Sequence, residues 1–132
     1  MIAADAPART EELLIHVIAG LLQGSRQVAV GALSPIPGAG ALLLSARTGT
    51  RVMIIGCDLP EHRCDGGVEL FDLAATGRID AFFLSGGQID GGADINLTGV
   101  GAYPRMDVRW SGAFGSAFLY FNVPKVILFR EE

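Results

Sequence analysis

The stretch QVAVGALSPIPGAGALLLSARTGTRVMII, residues 27–55, predicts a β–α–β unit. Its two ends, "QVAV" and "RVMII", are short runs of β-prone apolar residues. Between them, "AGALLLSAR" is typical of a helix, and Gly49 stands beyond its end. The preceding "LSPIPGAG" holds two prolines and two glycines, so we expect an irregular loop there. Because two parallel strands require a crossover of this length, the stretch indicates an α/β fold.

The same alternation extends on both sides of this unit. A helix is predicted after Thr10, which we expect to be its N-cap, and another over "VELFDLAATG", ending at Gly77. Strands are predicted at "IDAFFL" and at "KVILFR". These strands are continuous apolar runs, which are typical of a sheet covered on both faces. We therefore predict an open, mostly parallel sheet with flanking helices in a single domain, residues 10–132, after a loose arm at residues 1–9.

Open α/β sheets bind ligands outside the carboxyl ends of their strands. Three predicted strands reach that edge at small residues, Gly31, Gly56 and Gly86. The glycine-rich segment from Gly86 to Gly101 carries little helix signal, and we expect an ordered functional loop or a hairpin. The sequence therefore predicts that the functional site lies at this edge.

The composition excludes several classes of protein. The chain has 132 residues, of which 50% are hydrophobic and 18% are charged, so it is globular and we expect it to bury surface against a partner. Its net charge is −4 and its arginines are scattered, so the sequence shows no basic patch that would bind nucleic acid. The apolar segment "LLIHVIAGLL" is too short to span a bilayer. Two cysteines do not make a disulfide framework, so we expect a soluble cytoplasmic protein with reduced thiols and no membrane partner.

Two segments resemble one enzyme family. They are VELFDLAATGRIDAFFLSGGQIDGGADINLTGVGAY, residues 68–103, and VRWSGAFGSA, residues 108–117. They contain, in order, an apolar strand, a Gly-Gly-x-Gln-Ile-Asp turn, an Asn-containing segment and an Arg before a glycine turn. This order resembles the β subunit of family I coenzyme A transferases, especially the glutaconate CoA-transferase type. The segment VAVGALSPIPGAGALLLS, residues 28–45, is similar to the family's first glycine loop and helix. The resemblance covers roughly residues 10–130.

The resemblance implies a function and a partner. Such enzymes move CoA between carboxylic acids, with coenzyme A as cosubstrate and no permanently bound cofactor or metal. It implies an α-type partner subunit, or self-association, and an acyl-CoA substrate. A glutamate in the family attacks the acyl-CoA, and its carboxylate splits the exchange into reversible covalent steps. The resemblance gives the chain the following substrate-binding or CoA-binding residues: Gly31, Gly86, Gly87, Gln88, Asp90, Asn96, Arg109 and Gly112.

The sequence departs from the family pattern in three places. Gly56 stands where the family keeps its catalytic glutamate, after the strand "VMII". Phe114 interrupts the family's Gly-Ser-Gly-Gly-Ala turn, where we expect it to crowd an approaching thioester. Family β subunits also continue beyond the point that matches Glu132, so we expect the last strands and helices to be missing or supplied by another chain.

The missing glutamate leaves several alternatives. Asp58 and Glu61 follow the strand closely, and either is a candidate catalytic substitute, the alternative being that both are solvated loop acids. A ring-opening CoA-thioester hydrolase subunit, or a catalytically inactive structural or regulatory subunit, is compatible with the same departures.

Other residues have both a chemical and a structural interpretation. Cys57, His62 and Cys64 are candidates for a zinc site, and Cys57 is a candidate thiol nucleophile near His62. The spacing of the three residues fits no common closed zinc site. Gln88 and Asp90 can brace a glycine turn instead of binding substrate. Arg109 can pair with Asp107 or with a partner chain instead of with a substrate carboxylate or a CoA phosphate.

Overall fold

A computed structural model describes residues 6–130 of the chain. Residues 1–5 of the predicted arm, and Glu131 and Glu132 at the end of the predicted domain, lie outside the described residues.

The helices are α1 (Thr10–Leu21), α2 (Pro35–Thr48), α3 (Val68–Ala75) and α4 (Ser116–Asn122). The strands are β1 (Gln27–Val30), β2 (Arg51–Ile55), β3 (Arg63–Cys64), β4 (Ala81–Leu84), β5 (Gln88–Ile89), β6 (Ile95–Asn96), β7 (Gly99–Val100), β8 (Val108–Arg109) and β9 (Lys125–Leu128).

Five strands form one sheet in the order β3-β2-β1-β4-β9, and every neighbouring pair in it is parallel. The central strand β1 pairs with β2 from Gln27↔Arg51 to Val30↔Ile54, and with β4 through Val28↔Ala81. All four residues of β1 are buried, as are those of β4. The predicted open, parallel α/β sheet is confirmed.

Helices cover both faces of this sheet. On one face, α1 and α2 bury Ile18, Leu22 and Leu44 against Val28 and Val30. On the other face, the buried residues of α3 and α4 are Leu70, Ala74 and Leu119, which cluster with Ala29 and Phe82. Two layers of helix around continuous apolar strands explain why the strand sequences do not alternate.

One carboxylate ties the start of β1 to the start of β4. Asp80 accepts hydrogen bonds from Arg26 N (2.7 Å), from Gln27 N (3.2 Å) and from Arg26 Nη2 (3.0 Å). The side-chain hydrogen bond from Arg26 is the largest cause that lowers the pKa of the Asp80 carboxyl, and desolvation acts in the opposite direction. The ionised carboxylate therefore stabilises this end of the sheet.

The beginnings of two helices differ from expectation. Thr10 is the first helical residue and not the N-cap, because the cap position belongs to Arg9, whose N–H donates to Glu12 Oε2 at 2.9 Å. Helix α2 begins at Pro35, inside the segment expected to be irregular. The first amides of a helix have no intrahelical acceptor, so prolines at 35 and 37 cost no hydrogen bond, and Gly38 N bonds to Ser34 O at 2.9 Å.

The polar segment after β2 contains a strand that the sequence pattern does not show. β3 pairs with β2 through Ile54↔Arg63 and Ile55↔Cys64. Hydrogen bonds from Ile54 N to His62 O (2.7 Å) and from Gly56 N to Cys64 O (3.0 Å) hold it there. A two-residue strand is too short to carry a periodic signal.

The glycine-rich segment forms the predicted hairpin: β5 and β6 pair antiparallel through Gln88↔Asn96 and Ile89↔Ile95. A second hairpin pairs β7 with β8 through Gly99↔Arg109. Within residues 6–130, no helix has the length and apolar character needed to cross a membrane.

Candidate functional site at the carboxyl edge of the sheet

A cleft of about 340 Å³ lies where β1, β4 and β9 end. The following residues line it: Leu33, Ser34, Pro35, Ile36 and Pro37 after β1, Phe83, Leu84, Ser85 and Gly86 at the end of β4, and Phe129 and Arg130 after β9. The chain leaves β1 towards β2 on one side, while β4 lies on the other side. The cleft therefore occupies the switch point of the sheet, which is where open α/β folds bind ligands.

Two positively polarised groups border this cleft. The first is the N-terminus of α2, where the helix dipole is positive. Because Pro35 and Pro37 have no backbone N–H, Ile36 supplies the backbone N–H between them. The second group is Arg130, whose Nη1 donates to Gly87 O at 2.8 Å and to Gly86 O at 3.4 Å. Arg130 thus holds two carbonyls of the glycine turn on the rim of the cleft. The sequence pattern gave no reason to choose it among the arginines.

Arg109, the arginine that the sequence predicts for the site, lies elsewhere. It is exposed on β8 of the second hairpin, opposite Gly99. Among residues 6–130 it forms no ion pair, so the alternative pairing with Asp107 is absent there. A substrate role for Arg109 stays a prediction.

Gly86 and Gly87 allow two side chains to approach the backbone of the turn. A Cβ on Gly86 would overlap the Cγ2 atom of Ile95. A Cβ on Gly87 would lie within 2.5 Å of three ring carbons of Trp110. Close packing therefore explains both glycines without a ligand, and Trp110 is a neighbour of the site that the sequence pattern does not indicate.

Gln88 and Asn96 form part of a hydrogen-bonded frame beside this turn. Asn96 Nδ2 donates to Gln88 Oε1 and to Gly99 O, both at 2.8 Å, and Asn96 Oδ1 accepts from Thr98 N at 2.9 Å. One amide therefore links the first hairpin to the second.

Asp90 braces the tip of the first hairpin, as the structural alternative expected. Its Oδ1 accepts from Gly92 N at 2.8 Å and from Asp94 N at 3.0 Å. These bonds do not test a contact between Asp90 and a substrate, which stays a prediction.

A smaller apolar pocket, about 240 Å³, lies between the first hairpin and α4. Leu84, Ile95 and Leu97 form one side, while Ala117 and Tyr120 come from α4. Tyr120 donates its hydroxyl to Ala93 O at 3.0 Å and fixes the helix against the hairpin. The pocket is lined mainly by apolar side chains and was not foreseen from the sequence.

The turn before α4 borders this pocket. Gly112 adopts φ 97°, a left-handed conformation that favours glycine, and Ala113 lines the pocket. Phe114 is 82% exposed and has φ 46°. Its ring therefore faces solvent and does not pack on described residues.

No side chain stands at the strand end where the resemblance places a catalytic glutamate. Gly56 follows β2 with φ 69°, and no heavy atom lies within 4 Å of the position a Cβ would take. Next to it, Cys57 is half-buried and its Sγ accepts from Leu59 N at 3.3 Å. Asp58 is exposed. These two residues are the candidate reactive groups that directly follow the carboxyl end of β2.

Glu61 is not brought to this edge. The chain turns back after Asp58, so Glu61 lines a different cleft together with Arg51 and Gly49 at the amino end of β2. The structure therefore separates Glu61 from Gly31 and Gly86, and its catalytic role stays a prediction with no contact in support.

The Cys–His arrangement is not assembled. His62 directs Nδ1 to Val52 O at 3.1 Å, which pins the loop to β2. Cys64 is 2% exposed and its Sγ accepts from Gly66 N. Within residues 6–130, His, Cys, Asp and Glu side chains form no group of three that could hold a metal ion.

Comparison with known proteins gives matches in structure alone. No family model matches the sequence, and no curated protein is similar to it. The decarboxylase AibA/AibB superimposes with a TM-score of 0.72 at 21% identity, over 92% of this chain and 59% of that one. IpdAB of Rhodococcus jostii gives 0.74 at 19% identity, over 91% and 53%. Glutaconate coenzyme A-transferase of Acidaminococcus fermentans gives 0.62 at 20% identity, over 92% and 56%.

The chain thus spans between half and three-fifths of the length of these solved proteins. At these identities the likeness concerns the fold, and it extends over nearly all of the present chain. The parallel sheet and these superpositions agree on one conclusion: the chain has the fold of these solved proteins, among them a glutaconate coenzyme A-transferase.

Proposed function

We propose that the chain is a β-type subunit of a heteromeric CoA-transferase-like enzyme, acting on an acyl-CoA and a carboxylic acid. The observation that carries the proposal is the cleft at the carboxyl edge, in a fold shared with a glutaconate CoA-transferase. Two other neighbours have paired names, AibA/AibB and IpdAB, which supports a two-chain assembly. An α-type subunit is the partner we propose, with self-association as the alternative.

The two pockets suit the two ends of an acyl-CoA. Arg130 and the N-terminus of α2 offer positive potential to a carboxylate or a CoA phosphate in the larger cleft. The apolar pocket beside Tyr120 offers a place for the acyl chain. Backbone amides of the glycine turns at Gly86 and Gly112 would stabilise the oxyanion of the attacked thioester. Gln88, Asp90 and Asn96 keep the first hairpin in place.

The nucleophile of this enzyme must replace the absent glutamate. We propose that a carboxylate, from Asp58 or from the partner chain, attacks the thioester carbonyl and expels the CoA thiolate, which leaves a mixed anhydride. The thiolate then attacks the enzyme's own acyl carbon, releases the first carboxylic acid and forms an enzyme thioester. The acceptor acid reverses both steps. Asp58 is preferred to Glu61 because it directly follows the carboxyl end of β2.

The second candidate function is that of a CoA-thioester hydrolase, or of another enzyme whose reaction needs no enzyme thioester. Gly56 has no side chain, and Cys57 beside it is half-buried with a backbone N–H at its sulfur. A solved neighbour of this fold is a decarboxylase, and several of its structures are variants in which one cysteine is replaced. These observations favour a chemistry that does not begin with a carboxylate of this chain.

Co-expression with the protein encoded beside it, followed by assay with an acyl-CoA and an acceptor acid, tests the proposal. We expect CoA transfer and a thioester adduct that hydroxylamine cleaves. Asp58→Asn should abolish the adduct if Asp58 supplies the carboxylate, while the matched loop control Glu61→Gln should retain it.

The other outcomes separate the alternatives. Release of free CoA without an adduct supports the hydrolase, and loss of that activity in Cys57→Ser assigns it to the thiol. Absence of CoA binding by calorimetry, with and without the partner, refutes both enzymatic functions and leaves the structural subunit.

A further inference from the structure

A second cleft lies at the opposite, amino edge of the sheet, and its volume of about 540 Å³ exceeds that of the carboxyl-edge cleft. Its polar side chains come from separate parts of the chain: Gln27 begins β1, Arg51 begins β2, Arg63 lies in β3, and Arg78 precedes β4. This cleft shares no lining residue with the carboxyl-edge cleft.

The charge of this cleft differs from that of the whole protein. Three of the ten Lys and Arg residues of a chain with net charge −4 line it, against the two carboxylates of Glu61 and Glu69. Within residues 6–130, Arg51 and Arg78 form no ion pair. Arg63 meets Asp65 at 3.6 Å, with both side chains largely exposed, so that pair is weak. Guanidinium groups from separate elements therefore remain available to an anion.

A buried amide is directed into the same cleft. Gln27 is 9% exposed, and its Nε2 contacts the sulfur of Met53 at 3.0 Å, which is a weak acceptor. Among residues 6–130, its Oε1 and its second N–H make no hydrogen bond with a protein group. Within residues 6–130 no buried side-chain oxygen or nitrogen lacks a partner, so the unpaired Oε1 of Gln27 is open to solvent, where a polar group in the cleft can reach it.

The end of α2 lies beside the cleft, and hydrogen bonds within the chain satisfy part of it. Gly49 N donates to Ser45 O at 2.8 Å, and the Thr48 hydroxyl donates to Leu44 O at 2.9 Å. Of the last four carbonyls of the helix, that of Ser45 is thus occupied, and the arginines of the cleft must outweigh the negative end of the helix dipole.

We propose that this amino-edge cleft binds a small organic anion with two negatively charged groups, a phosphate ester or a dicarboxylate. Arg51 and Arg78 would bind one group each through their planar forks, while the Gln27 amide donates from the floor. The proposal is independent of the chemistry proposed for the carboxyl edge, because the two clefts lie at opposite ends of the strands.

Titration of the full ¹⁵N-labelled chain with inorganic pyrophosphate or malonate, at fixed ionic strength, tests the proposal by NMR. We expect saturable shifts of the amides of Thr50, Arg51, Arg63 and Arg78. The probe with the lower Kd shows whether the cleft prefers phosphate groups or carboxylate groups. Arg78→Gln should weaken binding about tenfold or more, because a charge-assisted hydrogen bond is lost.

Arg47→Gln is the matched control, since Arg47 is exposed on α2 and does not line the cleft. Unchanged affinity in this variant supports the proposal. Equal weakening by Arg78→Gln and Arg47→Gln, shifts that do not saturate, or shifts centred on Gly86 and Arg130 would overturn it. The exposed side chain of Arg78 makes misfolding of its variant unexpected, and Arg51→Gln provides a second test.

Discussion

Replacement of Gly87 by alanine tests how the glycine turn beside the candidate site is built. The backbone of Gly87 does not require a positive φ, so alanine is conformationally acceptable there. Its Cβ, however, would lie within 2.5 Å of ring atoms Cζ2, Cζ3 and Cη2 of Trp110. Ordinary carbon contacts are about 3.5–4.0 Å, so the ring must move by about 1 Å or more.

The backbone of Trp110 is anchored to the second hairpin, because its N donates to Thr98 O at 3.0 Å, so the ring must rotate or the hairpins must shift. We therefore expect Gly87→Ala to lower the free energy of unfolding by about 1–3 kcal/mol, the usual cost of overpacking. For a domain of this size that corresponds to a fall in Tm of roughly 3–6 °C per kcal/mol.

Urea unfolding followed by fluorescence measures the effect at the residue concerned, since Trp110 is the single tryptophan of the chain. Gly91→Ala is the control, because it lies in the same hairpin with no heavy atom within 4 Å of its Cβ position. Both variants lose the same backbone entropy in the unfolded state, which cancels in the comparison. Equal stability of the two variants, with an unshifted emission maximum, would show that Trp110 does not pack on Gly87.

Four further variants test other parts of the fold. Asp80→Asn should lower the free energy of unfolding at pH 7 by about 1–2 kcal/mol, because a charged acceptor is lost. Since the pKa of Asp80 is lowered in the folded state, its contribution is present above the unfolded value near 3.8 and is lost as the pH falls through the folded value. The wild type should therefore lose stability more steeply than Asp80→Asn between pH 5 and 2, and parallel curves would contradict the assignment. Gly40→Ala should destabilise the protein by about 1–3 kcal/mol, because its Cβ meets Ile18 Cβ at 2.8 Å. Gly20→Ala has free space around its Cβ and should stabilise α1 by about 0.5–1 kcal/mol. Thermal unfolding measures both changes, and Tm shifts in the same direction would refute the packing of Gly40 against Ile18. Asn96→Ala should cost about 1–3 kcal/mol and raise the hydrogen-exchange rate in both hairpins, because its amide links them; a change confined to one hairpin would contradict that link.

The parallel α/β sheet was predicted from the sequence because its central strands, β1 and β4, are buried along their whole length. Runs such as those of β1, β4 and β9 are apolar without interruption, and each is separated from the next by a glycine-terminated helix or a glycine-rich loop. The sequence does not predict the beginning of α2, because two prolines close together usually indicate a break, whereas Pro35 and Pro37 lie in the first turn of the helix.

The candidate site was predicted less completely than the fold. The edge of the sheet and the glycine turn were found, since topology decides them. Arg130 and Tyr120 were missed, because their role depends on which strand and helix they follow in space. Glu61 was placed near Asp58 from its distance along the chain, but a two-residue strand reverses the loop and carries it to the other edge.

The last strand of the described sheet has a consequence for handling the protein. Within residues 6–130, β9 pairs with β4 on one side and its outer side has no neighbour, while Val126, Ile127 and Leu128 follow a single charged residue, Lys125. Such an edge offers a row of unpaired amide and carbonyl groups to any extended segment that meets it. At high concentration the purified chain should therefore tend to pair β9 with strands of other molecules. A partner segment bound along the outer side of β9 should raise the solubility of the chain.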